Sequence, residues 1–350
     1  MDAPERYFAS GYVAAREAFC AAGEAAGARL ERLPLEARGP QGEALSIDVA
    51  WLGPLRPARA LVHSSGVHGV EGFAGSAVQR AVLASPPALA ADQALVLVHV
   101  LNPYGMAWLR RTNEHNVDLN RNCLPDGEAW EGAPAAYRAL QDFLNPASAP
   151  RRDGFYPRAL AAVLRYGFAA VRQAVAGGQY EFPRGLFFGG TELEPGPRLY
   201  RDWLQGHLGE VEEAIGIDVH TGLGPWAHGS LFEEGGPQGA GGGESAGYNV
   251  RGGLVTALGA WLPGARVSAF TQEFGTYSAT RVLHALREEN RWHFYGRGNL
   301  EHASKARLRA ALCPVSPRWR RRVLEQGTAL VAQACRWRVR RDVGVSGAAA

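Results

Sequence analysis

An imidazole and a carboxylate, both able to hold a metal ion, stand three positions apart in the stretch His63-Ser-Ser-Gly-Val-His68-Gly-Val-Glu71. That spacing lets two side chains converge on one cation where a strand gives way to a helix. Taken alone the pair is a weak signal, because a polar loop ahead of a helix explains it as well. A second histidine follows in Asp218-Val-His220-Thr-Gly222. It can serve as a third ligand, leaving a fourth position open as catalytic zinc sites do. Asp218 alternates onto the same strand face, from where it can hold the imidazole. A hydrogen-bonded structural histidine is an equal reading of His220 by itself.

Glu273, in Thr271-Gln-Glu-Phe-Gly275, closes another apolar run. A carboxylate so placed can take a proton from an attacking water and return it to a leaving amine; a solvated strand end is the plainer alternative. The densest set is Asn102-Pro-Tyr-Gly105, Arg110, Arg111-Thr-Asn113 and Asp118-Leu-Asn120-Arg121-Asn122. Planar donors in such number suit a substrate that bears a carboxylate, and an arginine near a metal can also hold an oxyanion. Aromatic interleaving is absent, so the same arginines argue against nucleic acid.

Such side chains meet only if the chain carries them to a common rim. Leu45–Trp51, Ala60–His63, Leu95–Leu101, Ile215–His220 and Val267–Thr271 read as strands, and the continuous apolar run at Leu95–Leu101 suits a strand covered on both faces. Helical periodicity covers Glu5–Ala26, Gly72–Leu83, Ala135–Phe143, Ala159–Ala174, Ala279–Asn290, Leu300–Leu312 and Pro317–Arg338. Strand, helix, strand in succession predicts a mostly parallel mixed sheet. The motifs fall at carboxyl ends of strands, where open α/β sheets place their sites. The proline-rich stretch 123–201 reads as a helical insertion within a single α/β domain spanning 1–350. Gly235–Gly253 reads as a mobile loop.

Composition narrows the function classes. A formal charge of +3 over 350 residues makes no case for nucleic acid or an anionic membrane, and no apolar stretch is long enough to span a bilayer. Lys305 is the sole lysine among 37 basic residues. The acidic residues in Met1–Arg6 predict no export signal, and Cys20, Cys123, Cys313 and Cys335 lack metal or disulfide spacing. A cytoplasmic protein with free thiols is expected. His63 and His99 lie in apolar runs and read as core histidines. The oligomeric state is not legible in the sequence.

The ordered set His68-x-x-Glu71, Asn102-Pro-x-Gly105, Arg111-x-Asn113, Asp118-x-Asn120-Arg121-Asn122, His220 and Glu273 resembles the zinc carboxypeptidase superfamily over about Leu61 to Tyr277. The resemblance implies a three-layer α/β/α fold and one Zn2+ held by His68, Glu71 and His220. It implies Glu273 as general base and acid, Arg111 polarising the scissile carbonyl, and Asn120 with Arg121 gripping the substrate carboxylate. The implied reaction cleaves an amide bond next to a free carboxylate, on short peptides or modified amino acids. The His220-Thr221 pair is also similar to the succinylglutamate desuccinylase and aspartoacylase branch, so deacylation of N-acyl amino acids is the alternative. A catalytically silent carboxylate-binding protein is a second alternative. Tyr104 stands where the superfamily often has Asp. A substrate-capping tyrosine has two candidates, Tyr248 and Tyr277.

Overall fold

The computed structural model of the chain describes residues 4–234 and 250–338. Most of the Gly235–Gly253 stretch, with Tyr248, lies outside the described residues. Seven strands form one mixed sheet: β1 (Arg29–Arg38), β2 (Ala44–Leu52), β3 (Arg59–Ser65), β4 (Gln93–His99), β5 (Glu213–Gly222), β6 (Gly229–Glu234) and β7 (Arg266–Gly275), in the order β1-β2-β4-β3-β5-β7-β6. The central β4, β3, β5 and β7 run parallel. The pairings β1–β2, β2–β4 and β6–β7 are antiparallel. The parallel share is therefore confined to the centre, and a short hairpin turn makes the β1–β2 pair antiparallel.

The helices are α1 (Tyr12–Ala25), α2 (Gly72–Ala84), α3 (Pro103–Ala107), α4 (Ala135–Leu144), α5 (Phe155–Tyr166), α6 (Phe168–Ala176), α7 (Pro195–Leu208), α8 (Leu254–Trp261), α9 (Ala279–Tyr295), α10 (Ala303–Leu312) and α11 (Pro317–Ala334). One sheet face is covered by α1, α2 and α11, whose Phe19, Phe73, Val78 and Trp319 pack with Leu61, Leu95 and Leu97. The other face takes Trp203, Leu204 and Leu258 from α7 and α8 against Trp51, Val62 and Val96. Three layers result, and the central strands are apolar on both sides because both sides are covered.

Two strands and three helices, the five-residue α3 among them, escape the sequence pattern. Strand β1 is polar and carries Pro34, which an edge strand tolerates because half its amides face away from the sheet. Strand β6, also at an edge, is six residues long. Helix α7 begins at Pro195, inside the stretch 123–201, and packs on the sheet. Helix α8, apolar and eight residues long, follows the glycine-rich stretch. The expected single helix over Ala159–Ala174 is two, broken at Gly167, whose φ of 82° no right-handed helix admits. Helices α4, α5 and α6 share a small apolar cluster with Tyr137, Phe143 and Phe155 at its centre. Arg287 of α9 ties that cluster down, donating to Phe143 O at 2.7 Å and pairing with Asp153.

Candidate metal centre

The parallel strands end at one rim, and their register decides which side chains meet there. Ser64 on β3 lies beside Asp218 on β5, and His220 lies beside Glu273 on β7. Paired residues of parallel neighbours share a face, and residues two apart on one strand do too. Asp218, His220 and Glu273 are thus presented together. After β3 the chain turns at Gly66 and enters a short 3-10 turn, Gly69–Glu71, that leads into α2. Gly69 is obligatory here. A Cβ at that position would stand 2.2 Å from the carbonyl carbon of Gly105 and 2.3 Å from the amide of Met106. The turn is further fastened by Gly69 N–H and Val70 N–H donating to Arg111 O and Arg110 O.

This arrangement brings His68, Glu71 and His220 together, with one potential ligand atom from each lying within 4.8 Å of the others. All three are buried. His68 Nδ1 is 3.2 Å from Glu71 Oε1, and His220 Nδ1 is 3.8 Å from Glu71 Oε2. The imidazole rings stand nearly edge to face, with centroids 4.9 Å apart. His68 Nδ1 is buried and finds no hydrogen-bond partner among the described residues. A buried orphan nitrogen facing a carboxylate and a second imidazole is a donor set suited to zinc.

Each imidazole is backed by a carboxylate on its far side. His68 Nε2 lies 3.1 Å from Asp118 Oδ1. The tautomer that donates from Nε2 to Asp118 leaves the Nδ1 lone pair toward Glu71. His220 Nε2 lies 2.7 Å from Asp218 Oδ2, off the line of an ideal hydrogen bond, and Ser64 Oγ holds the other Asp218 oxygen at 2.6 Å. Asp118 is the residue whose part the sequence reading did not assign. Its only sequence signal is its place at the head of the Asn120-Arg121 motif.

The charges are strongly interlocked. Burial alone would raise the Glu71 carboxyl, but the neighbouring positive charges of His68, Arg111 and His220 outweigh burial and lower it. Burial likewise acts against Asp118, and Arg111 with His68 and Arg121 carries it well below the usual range. Burial would depress His220, yet Asp218, then Glu71 and Glu273, lift it to about 9. Glu273 is pushed up to about 7, chiefly by burial, with His220 opposing and Glu71 adding to the rise. Its Oε1 accepts from Leu223 N–H at 2.8 Å, which fixes the carboxylate at the rim.

Arg111 reaches into the same cluster. Its Nη1 donates to Glu71 Oε1 at 3.1 Å and its Nε to Asp118 Oδ2 at 2.9 Å, while Nη2 lies 2.7 Å from His68 Nε2. Phe187 lies over the guanidinium, 5.2 Å from ring centroid to Cζ, with a left-handed φ of 57°. A phenylalanine held there is strained, and hydrogen bonds of its segment to Gln179 and Asp118 keep it in place. Nothing in the sequence signals this contact.

The other planar donors are spent differently from the expectation that they face substrate. Asn102 caps α3, accepting from Gly105 N–H and donating to Arg111 O. Asn113 and Asn122 both brace the chain around Glu194, and Asn122 also donates to Gly189 O and Glu192 O. Arg110 is fully buried against Glu289 and Asn116. Arg121 donates from Nε and Nη2 to Ala176 O and from Nη1 to Asn120 O, which leaves two of its five N–H groups without a partner among the described residues. Asn120 accepts from Leu254 N–H through Oδ1, which leaves its amide N–H groups without a partner among the described residues. His63 and His99 are core histidines, bonded to Gln79 and Ser76. All four cysteines are unpaired. Tyr277 stacks with Arg281 at 3.7 Å.

Residues 8–326 match the model of a family described as "Protein of unknown function (DUF2817)". The chain belongs to that family. A search of curated proteins returned no match. Among solved structures, this DUF2817 protein is similar to a metallo-carboxypeptidase from Burkholderia cenocepacia, at 13% identity over 92% of this chain and 69% of the other, with a TM-score of 0.40. It is also similar to bovine thrombin-activatable fibrinolysis inhibitor, at 11% identity over 92% and 99% of the two chains, TM-score 0.39. A murein-tripeptide amidase from Escherichia coli O157 shares 16% identity over 75% and 92%, TM-score 0.35. All three likenesses are distant.

Proposed function

We infer that this DUF2817 protein is a zinc-dependent hydrolase that cleaves an amide bond next to a free carboxylate. The observation that carries the reading is the convergence of His68, Glu71 and His220, each imidazole backed by a carboxylate, with Glu273 beside them in strand register. Histidine Nδ1 atoms and a carboxylate, with Nε2 atoms braced from behind, would hold the zinc ion. A bound zinc supplies Lewis acidity toward the carbonyl and lowers the pKa of water.

The chain's own groups account for the remaining work. Glu273, with a carboxyl near neutrality, accepts the proton of the attacking water and delivers it to the departing nitrogen. Arg111, whose Nη1 donates to Glu71 Oε1 at the edge of the cluster, would be the donor that polarises the carbonyl oxygen of the substrate. The amide of Asn120 and the two N–H groups of Arg121 that have no partner among the described residues are the donors for the substrate carboxylate. The burial of the cluster supports small substrates, short peptides or acylated amino acids, over folded polypeptides. We take 123–201 as an insertion within one domain, and Phe187 brings that insertion against Arg111.

The test is Glu273→Gln, with C-terminally varied peptides and N-acyl amino acids as substrates and mass detection of products. The variant is expected to bind zinc as the parent does while turnover falls at least about a hundredfold, in the range general-base removal produces. Parental turnover in that variant would remove Glu273 from its role. Release of the N-terminal acyl group rather than the C-terminal residue would assign the chain to deacylation.

A further inference from the structure

Phe187 holds a backbone conformation that its side chain does not favour. Its φ is 57°, a left-handed value that glycine takes without cost and a bulky residue does not. The surrounding segment keeps it there. Phe187 O accepts from Gln179 N–H at 3.1 Å, and Phe188 O accepts from Asp118 N–H at 2.7 Å. Leu186 is tied on both sides, its N–H donating to Asn145 Oδ1 at 2.9 Å and its O accepting from the Tyr137 hydroxyl at 2.7 Å. Strain held in place by its neighbours gathers at functional sites.

The ring itself is wedged between an apolar cluster and one charged group. Phe187 is 7% exposed and packs with Val70, Leu286, Leu308 and Leu312, of which Val70 belongs to the same turn as Glu71. Against this backing the Arg111 guanidinium lies over the ring, with Cζ 5.2 Å from its centroid, within reach of cation–π attraction. Glu71, His68 and Asp118 meet the guanidinium at its nitrogens, and all three belong to the metal centre. Phe187 reaches Arg111 from the 123–201 segment, and a ring does not compete for those hydrogen bonds.

We propose that Phe187 is a positioning residue: its ring holds the Arg111 guanidinium in the place from which it polarises the substrate carbonyl. The proposal rests on the hydrolase reading given above. An arginine side chain has many rotamers to lose. One placed beforehand by a rigid neighbour meets the charge that develops on the carbonyl oxygen without reorganising. The strain at Phe187 is offset by the packing of its ring and by the contact with Arg111.

Two measurements on the full-length protein test this, and the first is independent of turnover. Phe187→Leu keeps an apolar side chain and removes the ring. With 15N-labelled arginine, the Nε–H resonance of Arg111, assigned by its loss in Arg111→Lys, is expected to shift in Phe187→Leu and to exchange with water about tenfold faster. The second is steady-state kinetics on whichever C-terminally varied peptide or N-acyl amino acid the parent cleaves. There kcat is expected to fall about tenfold or more while KM stays within about threefold. Phe187→Gly, which relieves the left-handed backbone, is expected to lose kcat likewise, with circular dichroism and zinc content as in the parent. An Arg111 resonance and exchange rate unchanged in Phe187→Leu overturn the proposal, and so does parental kcat in both variants. A moved resonance in a protein whose parent form cleaves none of the substrates supports the hold on Arg111 and counts against the hydrolase reading instead.

Discussion

Asp218 is the residue whose replacement probes the centre most finely, because it acts on His220 in two opposed ways. Its carboxylate lies 2.7 Å from His220 Nε2 and is the largest influence lifting that imidazole, against burial, to about 9. At pH 7 a protein without metal therefore carries a proton on His220 that zinc must displace, which weakens apparent affinity by roughly a hundredfold for two pH units. The same carboxylate orients the ring and raises its basicity, which strengthens a bound metal by about 10–100-fold. Asp218→Asn removes both effects while keeping the shape and the bond from Ser64. Parental zinc affinity should climb about tenfold per pH unit until roughly pH 9, and that of the variant should level off at lower pH. Near pH 7 the two proteins should differ by less than about tenfold. At and above pH 9 the variant should be weaker by about 10–100-fold, or roughly 1.4–2.7 kcal/mol. Competition against a chromophoric chelator across that pH range reads both curves. Superimposable curves would refute the assignment of Asp218 to His220.

Buried neutral histidines should make the fold sensitive to acid. Burial lowers His63 to about 4 and His99 to about 3, so below the unfolded value of 6.5 the unfolded chain binds protons that the folded chain refuses. Stability is therefore complete above about pH 6.5 and falls as pH drops, by about 2 kcal/mol per histidine at pH 5; urea melts of His99→Gln should show a shallower loss. Lys305 is fully buried, donating to Glu289 at 2.7 Å and to Trp108 O at 2.8 Å. An amine-reactive reagent should leave it unmodified until denaturant is added, as peptide mass mapping would show, and Lys305→Met should cost about 3–5 kcal/mol by breaking a buried ion pair. Gly69→Ala should abolish zinc binding or folding, since its Cβ would meet the Gly105 backbone at 2.2 Å; a variant with parental zinc affinity would show that the two turns can part.

The parallel centre of the sheet was legible because its strands are apolar on both faces, and an unbroken run such as Leu95–Leu101 is read without knowing its neighbours. Edge strand β1 was not, because a half-solvated strand with a proline has no such signature. The residues at the rim were nameable from type and spacing, since His68, Glu71, His220 and Glu273 each end or follow a strand. What spacing does not carry is where a donor spends its hydrogen bonds. Arg110 and Arg111 are adjacent and chemically identical, yet one is sealed against Glu289 on α9 and the other touches Glu71. That division is made by α9, nearly 180 residues away. Likewise Arg121 meets Ala176 O only because α6 ends beside it. Phe187 over Arg111 depends on a left-handed residue that no local pattern requires.

Titration of the chelator-treated protein with Zn2+, followed by X-ray absorption at the zinc edge, bears most directly on the centre. One tightly held zinc per chain with two imidazole nitrogens and a carboxylate oxygen is expected, and either His68→Ala or His220→Ala should abolish it. Absence of a bound ion, or an ion retained unchanged in both variants, would contradict the assignment of His68, Glu71 and His220 as its ligands.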